Sequence, residues 1–141
     1  GKTFLSHCIA CEILKKAYSV LYFPSYDLFD LLAKETFSKE SGSEGALEYI
    51  LNCDLLILDD LGTELTNSFV SSQLFLIVNE RMLRERSTII STNKDLETFS
   101  EIYSTRTFSR IIQNYVFINL IGKDIRRDIR TRKIIQEDKR L

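Results

Sequence analysis

The chain has 141 residues, the length of one ordinary domain, and it is 44% hydrophobic and 28% charged, as in a globular protein rather than a disordered one. Its 19 basic and 20 acidic residues leave a formal net charge of −1, which excludes an overall field that would draw it to nucleic acid or to a membrane surface. No apolar run has the length of a transmembrane helix, and three cysteines without framework spacing favour a reducing, cytoplasmic location.

Hydrophobic periodicity predicts helices and strands that alternate along the chain. In chain order, we predict a helix at 3–18, a strand at 20–23, a helix at 26–37, a loop at 38–45, a helix at 46–52, a strand at 55–58, a helix at 67–86, a strand at 87–92, a helix at 104–114, a strand at 115–121 and a helix at 124–139. The run at 55–58 is apolar without alternation, which is typical of a central strand buried on both faces. Strands separated by helices predict an α/β fold, with a parallel sheet covered by helices on both sides.

The first predicted helix contains a C-x-x-C motif at Cys8 and Cys11. No second pair of Cys or His residues follows it, and zinc binding is therefore disfavoured. We predict instead that both thiols are buried on the apolar face of this helix, to which Phe4 and Leu14 also contribute.

Gly1-Lys2-Thr3 matches the last three positions of the phosphate-binding loop G-x-x-x-x-G-K-[ST]. A helix N-terminus presents unpaired N–H groups to phosphate oxygens, lysine adds a positive charge, and the threonine hydroxyl binds Mg²⁺. Three residues alone are a weak signal, but their position at a helix start in an α/β pattern strengthens it.

Asp59 and Asp60 follow the apolar strand, at the sheet edge where ligands of parallel α/β proteins bind. An acid at this place can hold Mg²⁺ opposite the loop hydroxyl, and a second acid can orient or deprotonate an attacking water. The alternative is an ordinary turn ahead of Gly62. The glycine-lysine-threonine motif, about 55 residues upstream, favours the metal interpretation.

Three further polar residues have two interpretations each. Asn93, after the strand at 87–92, either caps the following helix or lies beside the γ-phosphate and the attacking water. Arg106 and Arg110 lie four residues apart on one helix face. By spacing alone they are better explained as exposed or ion-paired side chains than as a guanidinium supplied to a neighbouring subunit's γ-phosphate.

Taken together, these segments resemble the AAA+ ATPases of the DnaC/DnaI helicase-loader and IstB-like group. The resemblance covers residues 1 to about 127 and depends on GKTFLSHCIA, VLYFPSYDLFDLL, DLLILDDLGTELTNSF, LFLIVNERML, STIISTN, TRTFSRII and GKDIR. It implies a P-loop AAA+ core with a parallel five-stranded sheet and with nucleotide at a subunit interface. It also implies that residues 1–141 are one such core truncated at its N-terminus, without the front of the phosphate-binding loop and without the strand before it.

The resemblance assigns the ATP and Mg²⁺ ligands to individual residues. Gly1, Lys2 and Thr3 match the end of the Walker A loop that binds ATP, with the Thr3 hydroxyl on Mg²⁺. Asp59 matches the Walker B acid that binds ATP through Mg²⁺, and Asp60 matches the second, catalytic acid of that motif.

The same resemblance assigns three further catalytic residues. Asn93 matches sensor 1, Arg126 matches sensor 2, and Arg110 matches the arginine finger that acts in trans, with Arg106 the weaker match. Most AAA+ hydrolases have Glu where this chain has Asp60, and the shorter side chain predicts slow hydrolysis.

The function that the resemblance implies is DNA replication, in which an ATPase loads a replicative helicase onto single-stranded DNA. It would self-associate through the ATP interface. The nearest alternative is an IstB-like transposition helper with the same ATPase core. A P-loop small-molecule kinase and an interaction module that uses no nucleotide are more distant alternatives.

Overall fold

The structure, a computed structural model, describes residues 1–37 and 45–122. Six helices and three strands follow one another in this part of the chain, in the order α1 (Lys2–Lys15), β1 (Val20–Pro24), α2 (Ser25–Phe37), α3 (Ala46–Asn52), β2 (Leu55–Leu61), α4 (Ser68–Leu83), β3 (Ser87–Thr92), α5 (Leu96–Ile102) and α6 (Thr105–Asn114). The predicted helix at 124–139, Arg126 within it and most of the predicted loop at 38–45 lie outside the described residues. Among the helices that are described, none is both long and apolar enough to cross a membrane.

The three strands form a parallel sheet with β2 in the centre. β1 pairs with β2, and β2 pairs with β3 from Leu55 opposite Ser87 onwards. Every residue of β2 except Asp60 is buried, so the prediction of a central strand buried on both faces is confirmed. The strand runs past its predicted end to Leu61 and therefore contains both aspartates.

Different helices cover the two faces of the sheet. Leu56 and Leu58 lie on one face and join a hydrophobic core with α2–α6. The helical side chains of this core are Leu28, Phe29, Leu32, Ile50, Leu51, Val70, Leu74, Ile77, Val78, Phe99 and Ile111. α1 covers the other face, where the His7 ring packs edge-on against Tyr22 of β1 with the ring centroids 4.5 Å apart. The predicted α/β fold with helices on both sides is thus confirmed.

Side-chain caps start the helices that follow β2 and β3. Asn67 accepts a hydrogen bond from the Val70 N–H at 2.9 Å and caps α4. Asp95 caps α5 and accepts from the Thr98 N–H at 2.8 Å, so the interpretation of Asn93 as the cap is wrong. The sequence did not predict α5, because a seven-residue helix with a single buried residue has little hydrophobic periodicity.

Residues 115–121 do not form the predicted strand. Val116, Ile118 and Ile121 are 90%, 74% and 88% exposed. A β-prone run becomes a strand only when a neighbouring strand pairs with its N–H and C=O groups, and no strand of the described part pairs with this run. The described sheet therefore has three strands, whereas the sequence predicts four in this chain and the resemblance implies five in the complete core.

α1 turns a different face to the sheet from the predicted one. Ser6 is its buried residue, whereas Cys8 and Cys11 are exposed, so the predicted burial of the thiols is wrong. Positions 3, 6 and 7 share a helix face, and positions 4, 8 and 11 lie on a different one. In the observed orientation, Thr3 contacts Asp59 and His7 contacts Tyr22 of β1. The apolar pattern of the helix does not predict this orientation.

Candidate functional site

The site lies where the carboxyl ends of β2 and β3 meet the N-terminus of α1. Asp59 and Asp60 belong to the end of β2, Asn93 directly follows β3, and Lys2 and Thr3 open α1. Three hydrogen bonds connect these residues in two groups: Thr3 binds Asp59, and Asn93 joins Lys2 to Asp60. The meeting follows from topology, because the carboxyl ends of parallel strands lie at the same edge of a sheet.

Asp59 is a buried carboxylate, 5% exposed, that is surrounded by hydrogen-bond donors. Its Oδ2 accepts from Thr3 Oγ1 at 2.8 Å and from the Tyr22 hydroxyl at 2.5 Å, and its Oδ1 accepts from the Ser91 hydroxyl. Burial by itself would raise the pKa of Asp59, but hydrogen bonds from Ser91, Tyr22 and Thr3 outweigh it and lower the pKa below its ordinary value. Asp59 is therefore ionised at neutral pH and fixed in orientation beside Thr3.

A second series of hydrogen bonds joins Lys2 to Asp60. Lys2 Nζ donates to Asn93 Oδ1 at 2.5 Å, and Asn93 Nδ2 donates to Asp60 Oδ1 at 3.2 Å. Asn93 thus bridges the lysine and the second acid. Its side chain is exposed, so an anion that arrives from solvent can compete with it for the Lys2 ammonium.

The backbone at Asp60 is left-handed, with a φ of 54°, which is uncommon for a residue other than glycine. The Asp60 N–H donates to Ser91 Oγ at 3.0 Å, and its carbonyl accepts from Thr63 Oγ1 at 2.8 Å. Two residues later Gly62 has a φ of 97°, and a Cβ there would lie 2.9 Å from Cγ of Lys94. Hydrogen bonds therefore hold Asp60 on both sides, and the turn after it requires glycine.

The start of α1 has the properties of a phosphate site. Gly1 precedes the helix without a side-chain cap, and the first turn contains no acidic residue. Its first N–H groups and the Lys2 ammonium are thus the groups that an anion would meet. The Thr3 hydroxyl and the Asp59 carboxylate are oxygen ligands of the kind that Mg²⁺ prefers, so this donor set fits a magnesium-bound nucleotide.

The structure does not bring the predicted arginines into this cluster. Arg106 and Arg110 are both exposed on α6. Within the described residues, no ion pair joins either guanidinium to a carboxylate. Their exposure is compatible with both interpretations given above.

The sequence motifs did not predict Tyr22 and Ser91, the two residues that donate hydrogen bonds to Asp59 together with Thr3. Strand alternation could have indicated them, since Tyr22 and Ile89 both pair with Ile57. Side chains alternate along a strand, so Asp59 and Ser91, two positions further on, share that face. Burial and the Asp59 carboxylate raise the pKa of Tyr22, and its phenol therefore stays protonated as a donor.

A parallel sheet, an uncapped helix N-terminus with lysine and threonine, and acids at the adjoining strand end together define a P-loop protein. A crystal structure of DnaI is similar, with a TM-score of 0.71 at 26% identity over 87% of this chain and 65% of that chain. The fold is that of the AAA+ P-loop proteins, as expected. A family model described as IstB-like ATP binding protein matches residues 1–118, and the chain belongs to this family.

Curated relatives of the chain include two kinds of protein. The replicative helicase loader DnaC of Escherichia coli K12 is 29% identical over 112 residues, which are 79% of this chain and 45% of DnaC. The putative insertion sequence ATP-binding protein y4pL of Sinorhizobium fredii is 32% identical over 136 residues, which are 92% of this chain and 54% of y4pL. The chain thus spans about half the length of these relatives. The resemblance that the motifs indicate is confirmed at the level of the family.

Proposed function

We propose that the chain is the ATP-binding core of an ATPase that loads a replicative helicase onto single-stranded DNA. The observation that supports this most directly is the convergence of Lys2, Thr3, Asp59, Asp60 and Asn93 at one sheet edge. This convergence occurs in a chain similar to the helicase loader DnaC. The N–H groups at the start of α1 and the Lys2 ammonium bind the phosphates of ATP. The Thr3 hydroxyl and Asp59 hold Mg²⁺, which when bound neutralises phosphate charge.

In this proposal Asp60 orients the water that attacks the γ-phosphate. Its side chain is partly exposed at the open side of the site, and the amide of Asn93 donates to it. When a phosphate takes over the Lys2 ammonium, Asn93 loses its other partner and is free to turn toward the same water. The short reach of Asp60 makes hydrolysis slow, which suits a switch between two assembly states.

Self-association supplies the remaining positive charge. Arg110, exposed on α6, reaches the γ-phosphate of a neighbouring subunit and stabilises the charge of the transition state. Arg106 is the alternative for this role, and Arg126 acts as sensor 2 within the same subunit. Such head-to-tail contacts generate rings or open helices, which can surround a DNA strand.

A transposition helper is the second candidate. The name of the matching family and the 32% identity with the insertion sequence protein y4pL favour it. Both candidates use the same ATP site. They differ in the nucleic acid they act on, which is single-stranded DNA for a loader and duplex target DNA for a transposition helper.

Fluorescence anisotropy distinguishes the two candidates. The full-length protein that contains these residues is titrated into labelled single-stranded and duplex oligonucleotides, with and without ATP and Mg²⁺, at two salt concentrations. A loader should bind single strands more tightly when ATP is present, and affinity should fall as salt rises because counterions are released. Equal affinity for duplex and single strands would favour the transposition helper, whereas no effect of ATP would contradict the ATP dependence that both candidates share.

Matched lysine variants test whether the ATP effect depends on the proposed site. Lys2→Ala should abolish the effect of ATP on DNA binding. Lys16→Ala, which removes an exposed lysine just after α1, should leave it unchanged. Nucleic acid binding in none of these conditions would contradict both candidates.

A further inference from the structure

A buried carboxylate, that of Glu64, follows the Asp60 turn and has no role among the candidate site residues assigned above. Glu64 is 8% exposed, and its oxygens accept three hydrogen bonds. Oε2 accepts from Ser25 Oγ at 2.7 Å and from the Gly62 N–H at 3.0 Å, and Oε1 accepts from the Tyr103 hydroxyl. Because Ser25 starts α2 and Tyr103 follows α5, this one side chain joins three segments of the fold.

The surroundings of Glu64 contain donors that are themselves buried. Ser25 and Tyr103 are 1% and 2% exposed. Burial and the Glu64 carboxylate raise the pKa of Tyr103, so its phenol stays protonated and donates. Apolar side chains of similar size would fill this space without the cost of desolvating a carboxylate. The polar cluster therefore points to a role in fixing geometry.

Glu64 holds the turn that follows Asp60 from two sides. It binds the Gly62 N–H inside the turn, and it binds Ser25, whose Oγ also lies 3.1 Å from the Asp60 carbonyl oxygen. The turn contains two positive φ angles, 54° at Asp60 and 97° at Gly62. A residue in a left-handed conformation persists when its surroundings fix it, and Glu64 supplies part of that restraint.

The third partner of Glu64 connects this turn to the helix with the candidate arginine finger. Tyr103 directly precedes Ser104, which caps α6 and accepts from the Thr107 N–H at 3.3 Å. Arg110 lies on the same helix. A displacement of α6 when a neighbouring subunit docks would therefore act on Tyr103 and, through Glu64, on the Asp60 turn.

We propose that Glu64 is a positioning residue, which fixes Asp60 for hydrolysis and couples the Asp60 turn to the helix that carries Arg110. This proposal depends on the ATPase function proposed above. Glu64 itself does not touch the nucleotide and acts through Asp60.

Two substitutions at Glu64 separate geometry from charge. In Glu64→Gln the amide oxygen can still accept from Ser25 and Gly62, while the amide NH₂ donates to the Tyr103 oxygen, so the network persists without its charge. Its kcat should stay within about threefold of the unmodified protein, whereas Glu64→Leu should lower kcat by at least about tenfold with little change in the KM for ATP. A Gln variant as impaired as the Leu variant would show that the charge is required and would overturn the positioning role.

A hydroxyl deletion tests the coupling and needs no substitution at Glu64. Tyr103→Phe removes one hydrogen bond and keeps the ring against Phe99, where the centroids are 4.6 Å apart. In the full-length protein it should lower kcat and speed hydrogen–deuterium exchange in peptides spanning 60–66 and 103–112 together. The matched control is Tyr49→Phe, at a tyrosine that is 75% exposed, and it should change neither.

The two measurements distinguish failure of this proposal from failure of the ATPase function. If the unmodified protein hydrolyses ATP but Tyr103→Phe changes neither kcat nor exchange in either peptide, the coupling is refuted and the ATPase function stands. If the unmodified protein hydrolyses no ATP, the proposed function and the catalytic part of this proposal both fall. If Glu64→Leu does not fold, Glu64→Gln and Tyr103→Phe still give the decisive comparison.

Discussion

Replacing Arg81 with methionine should strongly destabilise the fold, because this guanidinium connects α3, α4 and β3 inside the core. Arg81 is 0% exposed. Its Nη1 donates to the carbonyls of Ile50 at 2.5 Å and Cys53 at 3.0 Å, its Nη2 donates to the carbonyl of Ser87 at 2.6 Å, and its Nε donates to Thr88 Oγ1 at 2.9 Å.

The size of the effect follows from the acceptors that the substitution leaves behind. Methionine fills a similar volume but donates no hydrogen bond, so the buried carbonyls of Ile50 and Cys53 lose this donor, as does the partly buried carbonyl of Ser87. A buried acceptor without a partner costs about 1–3 kcal/mol. Part of that cost is offset, because methionine has no charge to desolvate. We therefore expect a net loss of about 3 kcal/mol, a large part of the 5–15 kcal/mol that typically stabilises a domain.

Urea unfolding, followed by circular dichroism, measures this loss. Arg84→Met is the matched control, since the Arg84 side chain is 33% exposed and pairs with Glu48 and Glu80 at the surface. Pairs of this kind contribute about 0–1 kcal/mol. The unfolding free energy of Arg81→Lys should remain well below that of the unmodified chain, because one ammonium cannot reproduce a planar set of donors.

A loss of unfolding free energy in Arg81→Met no larger than the loss in Arg84→Met would contradict a stabilising role for the Arg81 hydrogen bonds. That result would mean that the desolvation of the buried guanidinium cancels its hydrogen bonds. If Arg81→Lys instead had the same unfolding free energy as the unmodified chain, the charge rather than the arrangement of donors would stabilise this region.

Three further predictions concern the site. Lys2→Ala should abolish binding of labelled ATP by the full-length protein, and retained affinity would contradict the phosphate-binding role of α1. Arg110→Ala should keep ATP binding but lose hydrolysis, and mixing it with an Asp60→Asn protein should restore part of the turnover at mixed interfaces; if the mixture recovers nothing and Arg106→Ala alone is inactive, Arg106 is the finger. The fold lowers the pKa of the Asp59 carboxyl. The ionised carboxylate therefore stabilises the fold above the ordinary carboxyl pKa of about 4, and this stabilisation is lost as the pH falls below that value. Acid unfolding of Asp59→Asn should consequently depend less steeply on pH than that of the unmodified protein.

Local patterns in the sequence were sufficient to predict the class of fold and most of the candidate site. The run at 55–58 indicated a central strand because a strand buried on both faces has no polar side to alternate. Lys2, Thr3, Asp59, Asp60 and Asn93 could be predicted to converge because parallel strands place their carboxyl ends, and the helix starts beside them, at one edge. That inference needs the order of elements and no knowledge of side-chain packing.

The errors of prediction have a common physical cause. The run at 115–121 has the composition of a strand, but strand formation depends on a neighbouring strand that composition does not describe. The apolar face of α1 likewise failed to predict burial, since Cys8 and Cys11 are exposed while Ser6 is buried. In both cases the deciding partner lies elsewhere in the chain.

The sequence by itself determined the alternation of elements and the residues at the start of α1 and the ends of the strands. The tertiary structure decided which side chains support them. Tyr22 and Ser91 orient Asp59 through hydrogen bonds between residues that are more than 30 positions apart in the chain. Glu64 restrains the turn after Asp60 through a hydrogen bond within the left-handed turn itself. Such contacts arise only when strands and helices are packed together, because a hydrogen bond requires two atoms within about 3 Å of each other, and spacing in the sequence sets that distance only within a single helix, strand or turn.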